Sequence, residues 1–268
     1  MQAQHASIGL VPLTQRPAGS WRYVLGVFTD IDDTLTSEGA ITPDALEALG
    51  HLHQAGLHVI AITGRPVGWS EPFAQSWPVD AIVAENGAVA LVKQQKLYQA
   101  DAPTRAGNFA RLQHVAACVL REVPGAVLAQ DSAGRETDIA VDHSEFVHLN
   151  EAQIAEVVAV MRREGLNASV SSIHVNGWIG SHDKWQGARW ITRTLFGRDL
   201  AAEVDRWVYV GDSTNDQVMF QHLPQSVGVA NIRRFEAELR HKPRYITQGE
   251  RGAGFAEMAR ALLADRRL

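Results

Sequence analysis

Apolar residues along this chain arrive in two rhythms, and the change from one to the other marks its organisation. From Trp21, the run Val24-Leu25-Gly26-Val27-Phe28 is short and rich in β-formers, which suits a strand buried on both faces. Thr42-Pro43 then opens a helix, with Thr42 as N-cap and Pro43 at the first helical position. Leu46, Leu49 and Leu52 with His53 carry its spacing, and Gly56 closes it. The next strand, Val59-Ile60-Ala61-Ile62, ends in Thr63-Gly64-Arg65-Pro66. A poorly periodic helix leads to a third strand, Ala81-Ile82-Val83-Ala84. Strand, helix, strand, helix, strand predicts right-handed βαβ units on a parallel sheet.

After Glu85-Asn86-Gly87 the pattern switches to alternation. Ala88 to Tyr98 and Gly125 to Phe146 alternate apolar and polar positions, as antiparallel strands with one wet face do. Two amphipathic helices belong with them. In the second, Asn150 caps, Gln153 follows three residues on, and Ile154, Val157, Val158 and Met161 recur at helical spacing. The parallel pattern resumes at Asp183 with a helix carrying Trp185, Ala188, Ile191 and Leu195. The strand Trp207-Val208-Tyr209-Val210 follows, then two shorter strands and a helix near Phe255 to Leu263. The fold class expected is α/β: a parallel Rossmann-like core sheet flanked by helices, with an inserted α+β module. The core comprises residues 21–87 and 179–268, the insert residues 88–178, and residues 1–20, aperiodic and polar, a loose arm.

Composition narrows the class. With 46% hydrophobic and 21% charged residues, 268 residues can bury a large core. The single cysteine, Cys118, excludes a disulfide framework and a multi-cysteine zinc site. A formal charge of −5 without a long basic run argues against nucleic acid or an anionic membrane as the main partner. No apolar stretch approaches the ~20 residues that span a bilayer, and the first 20 residues lack a basic-then-apolar signal pattern. The expectation is a soluble cytoplasmic protein.

The candidate chemistry sits where ligands bind in open parallel sheets, beyond the carboxyl ends of the strands. One strand ends in Thr29-Asp30-Ile31-Asp32-Asp33-Thr34, a second in Thr63-Gly64-Arg65, and a third in Gly211-Asp212 with Asp216 four residues on. On extended backbone Asp30 and Asp32 project to one side while Ile31 turns inward. Paired carboxylates can divide acid and nucleophile roles. Four acids on one rim (Asp30, Asp32, Asp212 and Asp216) call for a cation, and oxygen-only ligands favour Mg²⁺. Thr63 and Gly64 can offer a hydroxyl and amides to phosphate, and Lys184 supplies positive charge. That is the inventory of phosphoryl transfer.

These motifs resemble the haloacid dehalogenase-like superfamily of phosphatases. The D-x-D-x-T motif is matched by Asp30-Ile31-Asp32-Asp33-Thr34, the strand-end Thr by Thr63, the lysine motif by Lys184, and the acidic motif by Gly211-Asp212-Ser213-Thr214-Asn215-Asp216. The Ile62-Thr63-Gly64-Arg65-Pro66 and Glu85-Asn86-Gly87-Ala88 strings resemble its subfamily IIB, which carries a large α/β cap and includes Cof-like sugar phosphatases, sucrose-phosphatases, mannosyl-3-phosphoglycerate phosphatases and phosphomannomutases. The resemblance implies that Asp30 attacks phosphorus, Asp32 acts as acid then base, and Thr63, Gly64 and Lys184 hold the phosphoryl group. It implies Mg²⁺ on Asp30, the Asp32 backbone carbonyl and Asp212, with Asp216 as ligand or support. The insert becomes a cap over a small phosphorylated substrate, a sugar or sugar-acid phosphate. Arg65 on the core and Arg135, Asp138, His174 and Asn176 on the cap are its candidate readers. Asp33 departs from the glycine frequent in the family and is expected to point outward. The expected assembly is a monomer or homodimer.

Each motif alone also has a structural reading: Asp-x-Asp-Asp as a solvated strand exit, Thr-Gly as a helix start, Lys184 as a surface lysine. Their order at successive strand ends favours the chemical one. A phosphomutase would use the same Asp30 and Asp32 and remains the alternative. A signalling receiver domain is about half this length and lacks an insert. Cys118 reads as a small core residue and most tryptophans as core, with Trp69 and Trp178 near the rim or hinge.

Overall fold

The computed structural model of the chain describes residues 10–267. Its core is a nine-stranded sheet, ordered by chain number β1 (Val11–Pro12), β15 (Tyr245–Ile246), β14 (Gln225–Gly228), β13 (Trp207–Gly211), β2 (Gly26–Thr29), β5 (His58–Ile62), β6 (Ala81–Ala84), β7 (Val89–Val92) and β8 (Gln95–Tyr98). Pairing is parallel from β1 through β6 and antiparallel from β6 to β8. The central strands are buried throughout, as their unbroken apolar runs require.

Helices cover both faces. On one side α1 (Pro43–Gln54), α2 (Val67–Ser76) and α7 (Arg251–Asp265) flank a core containing Ile31, Leu49, Val59, Val210 and Phe255. On the other, α5 (Lys184–Phe196) and α6 (Gln217–His222) cover Phe28, Ile60, Trp207 and Tyr209. The short hairpin β3 (Thr36–Ser37) and β4 (Ala40–Ile41) projects after β2.

Residues between β8 and α5 form a second unit. Its antiparallel sheet has the order β11 (Asn167–Val170), β12 (His174–Trp178), β10 (Asp138–Asp142), β9 (Val127–Leu128). It has its own core, in which α3 (Ala102–Glu122) and α4 (Glu151–Arg163) bury Val115, Val119, Val157 and Met161 against Val141 and Val175. The capping box read at Asn150 and Gln153 is formed, and Cys118 packs in this core. The Thr42 hydroxyl, expected to cap α1, turns instead to the Asp44 carboxylate.

Two further readings differ from the structure at the level of elements. The alternation of Ala88 to Tyr98 does make an antiparallel hairpin, but β7 and β8 extend the core sheet beside β6 instead of joining the second unit. Alternation fixes which faces are wet and leaves open which sheet receives the strand. Of the expected loose arm, residues 1–9 lie outside the described residues, and residues 10–20 are built into the fold. β1 pairs with β15, Leu13 is buried, and Arg16 stacks over Trp21 at 4.1 Å and pairs with Asp265 at the end of α7. A two-residue edge strand leaves no period to read.

Candidate active site

The site lies at the carboxyl ends of β2, β5 and β13. The backbone leaves β2 at Thr29 and turns at once, with the amides of Thr34, Leu35 and Thr36 converging on the Ile31 carbonyl at 3.2, 2.9 and 3.1 Å. Ile31 is buried as expected, but the turn replaces strand alternation, and the two aspartates meet different partners. Asp30 faces Lys184, whose Nζ donates to its Oδ1 at 2.6 Å and to Asp216 Oδ1 at 2.7 Å. Asp32 faces Arg65, whose Nε reaches its two oxygens at 2.9 and 3.1 Å.

Lys184 is placed by the start of α5. Asp183 caps that helix through the Gln186 amide at 2.7 Å, and Gly87 and Gly187 bring two backbones into contact there. Lysine is buried only when paired, and its two aspartates hold its charge, raising its pKa further despite the cost of burial.

Asp216 has little capacity left for other ligands. Its Oδ1 accepts from Lys184 and the Tyr209 hydroxyl, and its Oδ2 accepts from the Asp212 and Ser213 amides at 2.8 and 3.0 Å. Asp212 is different. Its Oδ2 accepts from Asn231 Nδ2 and the Arg234 guanidinium, both at 3.1 Å, while its Oδ1 is buried without any partner. A buried carboxylate oxygen left bare is costly. One oxygen from each of Asp30, Asp212 and Asp216 lies within 4.8 Å of the others. Burial pushes the Asp30 carboxyl up to about 8, with Lys184 opposing and Asp216 and Asp32 adding to the rise. Burial also raises Asp212 well above the carboxylate range. This all-oxygen, electron-rich set with one bare ligand atom fits a hard divalent cation.

At the end of β5, the Thr63 hydroxyl accepts the Arg65 amide at 2.9 Å, which leaves its proton to donate. The Gly64 carbonyl is gripped by the second unit, through Arg135 at 2.9 Å and Asn176 at 3.2 Å. Arg135 also binds both oxygens of Asp138 at 2.8 and 3.0 Å, and Asn176 reaches Asp138 at 3.2 Å. Three of the five candidate readers thus hold one another and the β5 loop. The other two converge on a residue the sequence did not flag: Glu145 accepts from Arg65 at 2.7 and 3.2 Å and contacts His174 Nε2 at 2.9 Å. Asp131 completes the cage around Arg65 at 3.2 Å.

A cavity of about 410 Å³ opens from Asp32 and Arg65, bounded by the β3–β4 turn, Glu145, Phe146, Ser172, Arg234 and Arg251. Asp33 does not face outward. It takes a left-handed φ of 56°, a conformation that glycine adopts without strain, and pairs with Arg234 at 2.9 Å and Arg251 at 3.1 Å on the cavity wall. Trp69 supports Arg65 at 4.9 Å, and Trp178 is buried with its indole N–H on the His182 carbonyl. Neither reaches the cavity. Sequence reasoning also missed Tyr209, Asn231, Arg234, Arg251 and the fully buried Glu85. Glu85 binds the Val67, Glu136 and Thr137 amides and joins the core to the second unit. Only Glu85 left a signal, in its Glu85-Asn86-Gly87 string.

Residues 27–111 match the sequence profile of the haloacid dehalogenase-like hydrolases. No curated protein sequence matches the chain. Among solved structures, protein 0175 of Thermoplasma acidophilum is 14% identical with a TM-score of 0.69, covering 90% of this chain and 99% of its own. The sucrose-phosphatase of Synechocystis sp. PCC6803, solved with sucrose and phosphate, is 15% identical with a TM-score of 0.64, covering 89% and 97%. A haloacid dehalogenase subclass IIB sugar phosphatase is 17% identical with a TM-score of 0.59, covering 88% and 96%. In sequence over residues 27–111 and in fold over about nine-tenths of its length, the chain resembles the haloacid dehalogenase-like hydrolases.

Proposed function

We propose that this protein is a Mg²⁺-dependent phosphatase that hydrolyses a small sugar or sugar-acid phosphate through an aspartyl-phosphate on Asp30. The observation that carries the reading is Lys184 bridging Asp30 and Asp216 beside the bare Asp212 Oδ1. Asp30, the Asp32 backbone carbonyl and Asp212 would hold the cation, with Asp216 fixing Lys184 and the Asp212 loop. Bound there, Mg²⁺ supplies charge that keeps Asp30 ionised and neutralises phosphate oxygens.

Asp30 forms the new bond to phosphorus as the bond to the substrate oxygen breaks. Asp32 delivers a proton to that leaving oxygen, which departs as an alcohol. It then takes a proton from the water that attacks the aspartyl-phosphate, releasing inorganic phosphate and restoring the Asp30 carboxylate. Thr63, the Gly64 amide and Lys184 bind the transferring oxygens. The second unit acts as a cap that excludes water and reads the rest of the substrate, and the family resemblance supports the sugar class.

The test is phosphate release from a panel of sugar phosphates, phosphoglycerate derivatives and nucleotides, with Mg²⁺ or EDTA. Asp30→Asn should cut kcat by at least about a thousandfold while the protein stays folded, since it removes the attacking group. Turnover surviving Asp30→Asn rejects the covalent step, and full activity in excess EDTA rejects the metal. Transfer to a second sugar hydroxyl instead of water would identify a mutase.

A further inference from the structure

We infer that the loop of residues 142–146 is the specificity element of this site, with Phe146 a stacking platform for a sugar ring. The inference rests on the phosphatase reading and adds a recognition residue to it.

The loop is held from beneath by one buried side chain. Asp142, at the end of β10, accepts three successive amides: Ser144 at 3.1 Å and Glu145 at 2.9 Å on Oδ1, and Phe146 at 2.9 Å on Oδ2. His143 ties the same loop to its neighbour, its amide to the Ile173 carbonyl and its ring to the Ser171 carbonyl at 3.0 Å. A segment so fixed presents its side chains in set directions at little entropic cost on binding. Glu145 points to Arg65 and His174, while Phe146 remains 60% exposed on the cavity wall.

A large aromatic left in water at the mouth of a polar cavity marks a binding surface more than a packing residue. The rest of the lining says which ligand suits it. Asp33 and Glu145 are already paired with arginines, Glu38 is an exposed acceptor at the rim, Arg234 and Arg251 present N–H donors, and the Ser172 hydroxyl lines the cavity buried and without a partner. A pyranose fits this combination, because its C–H face can lie on an aromatic ring while its edge hydroxyls, each both donor and acceptor, can donate to Glu38, accept from the guanidinium groups and pair with the Ser172 hydroxyl. About 410 Å³ is within the range of small-metabolite pockets.

The test compares sugar phosphates with acetyl phosphate, which has no ring, in wild type and in Phe146→Ala, Phe146→Leu and Phe146→Tyr. Phe146 is exposed, so these variants should fold. Phe146→Ala and Phe146→Leu should lower the kcat/KM ratio of sugar phosphate to acetyl phosphate by about three- to tenfold, with the loss in KM, and Phe146→Tyr should restore it. A wild-type ratio in Phe146→Ala, or in Phe146→Leu, overturns the stacking role, as does a Phe146 dependence confined to nucleotides. A wild-type protein that hydrolyses no phosphate ester would instead reject the phosphatase reading itself.

Discussion

Arg65 shows how much one side chain can integrate. It is buried, stacked on Trp69, and shared among Asp32 of the core and Asp131 and Glu145 of the second unit. Burial raises the Glu145 carboxyl, but the hydrogen bonds from His174 and Arg65 outweigh it and hold the group at about 2. A depressed carboxylate stabilises the fold fully above its unfolded value near 4.5 and loses that contribution as pH falls through about 2. Glu145→Gln should therefore cost about 1–3 kcal/mol at pH 7, and the difference from wild type should shrink in urea melts as pH drops from 5 to about 2. A pH-independent difference would show that the carboxylate charge is not what matters.

At the scale of elements, the position of Lys184 depends on two glycines. A Cβ on Gly187 would meet the Gly87 Cα at 2.6 Å, and one on Gly87 would meet the Asp183 carbonyl at 2.3 Å. The contact is backbone on backbone, so neither side can yield by rotating a side chain. Gly187→Ala should lower stability by about 1–3 kcal/mol and, by displacing the first turn of α5, reduce phosphatase activity more than its stability loss explains. Urea titration and kinetics on the folded protein separate the two. The same scale shows where patterns mislead. The period of β7 and β8 was legible, but their sheet was not, because the choice depends on β6 offering an open edge.

For the molecule as a whole, the parallel sheet gathers buried carboxylates from β2 and β13 that Lys184 and Arg234 only partly satisfy, with Asp212 Oδ1 unpartnered. Mg²⁺ should therefore stabilise the fold as well as serve chemistry. At a hundred times its dissociation constant a ligand contributes about 2.7 kcal/mol, enough to raise Tm by roughly 5–10 °C in a chain of this size. Asp212→Asn, which removes the charge beside the bare oxygen, should abolish most of the Mg²⁺-induced rise. A shift retained in that variant would place the cation elsewhere.

The sequence alone determined the features that are local in the chain. Apolar runs gave the buried strands, and the helical period with Asn150 and Gln153 gave α4 and its cap. The strand ends marked Asp30, Asp32, Thr63 and Asp212, because residues leaving a parallel strand must emerge on one rim. Lys184 opens a helix, and only its resemblance to a lysine motif singles it out. Tertiary structure alone decided the partnerships: Asp32 with Arg65 and Glu145, Asp212 with Asn231 and Arg234, and Asp33 with Arg234 and Arg251. It also seated Val11 and Pro12 beside Tyr245 and Ile246. These pairs join residues far apart in the chain, and neither member carries a period or motif that names the other. Only the packing of strands and helices sets which charges share a buried space, and there the energy of pairing is decided by distance and burial, which sequence order does not record.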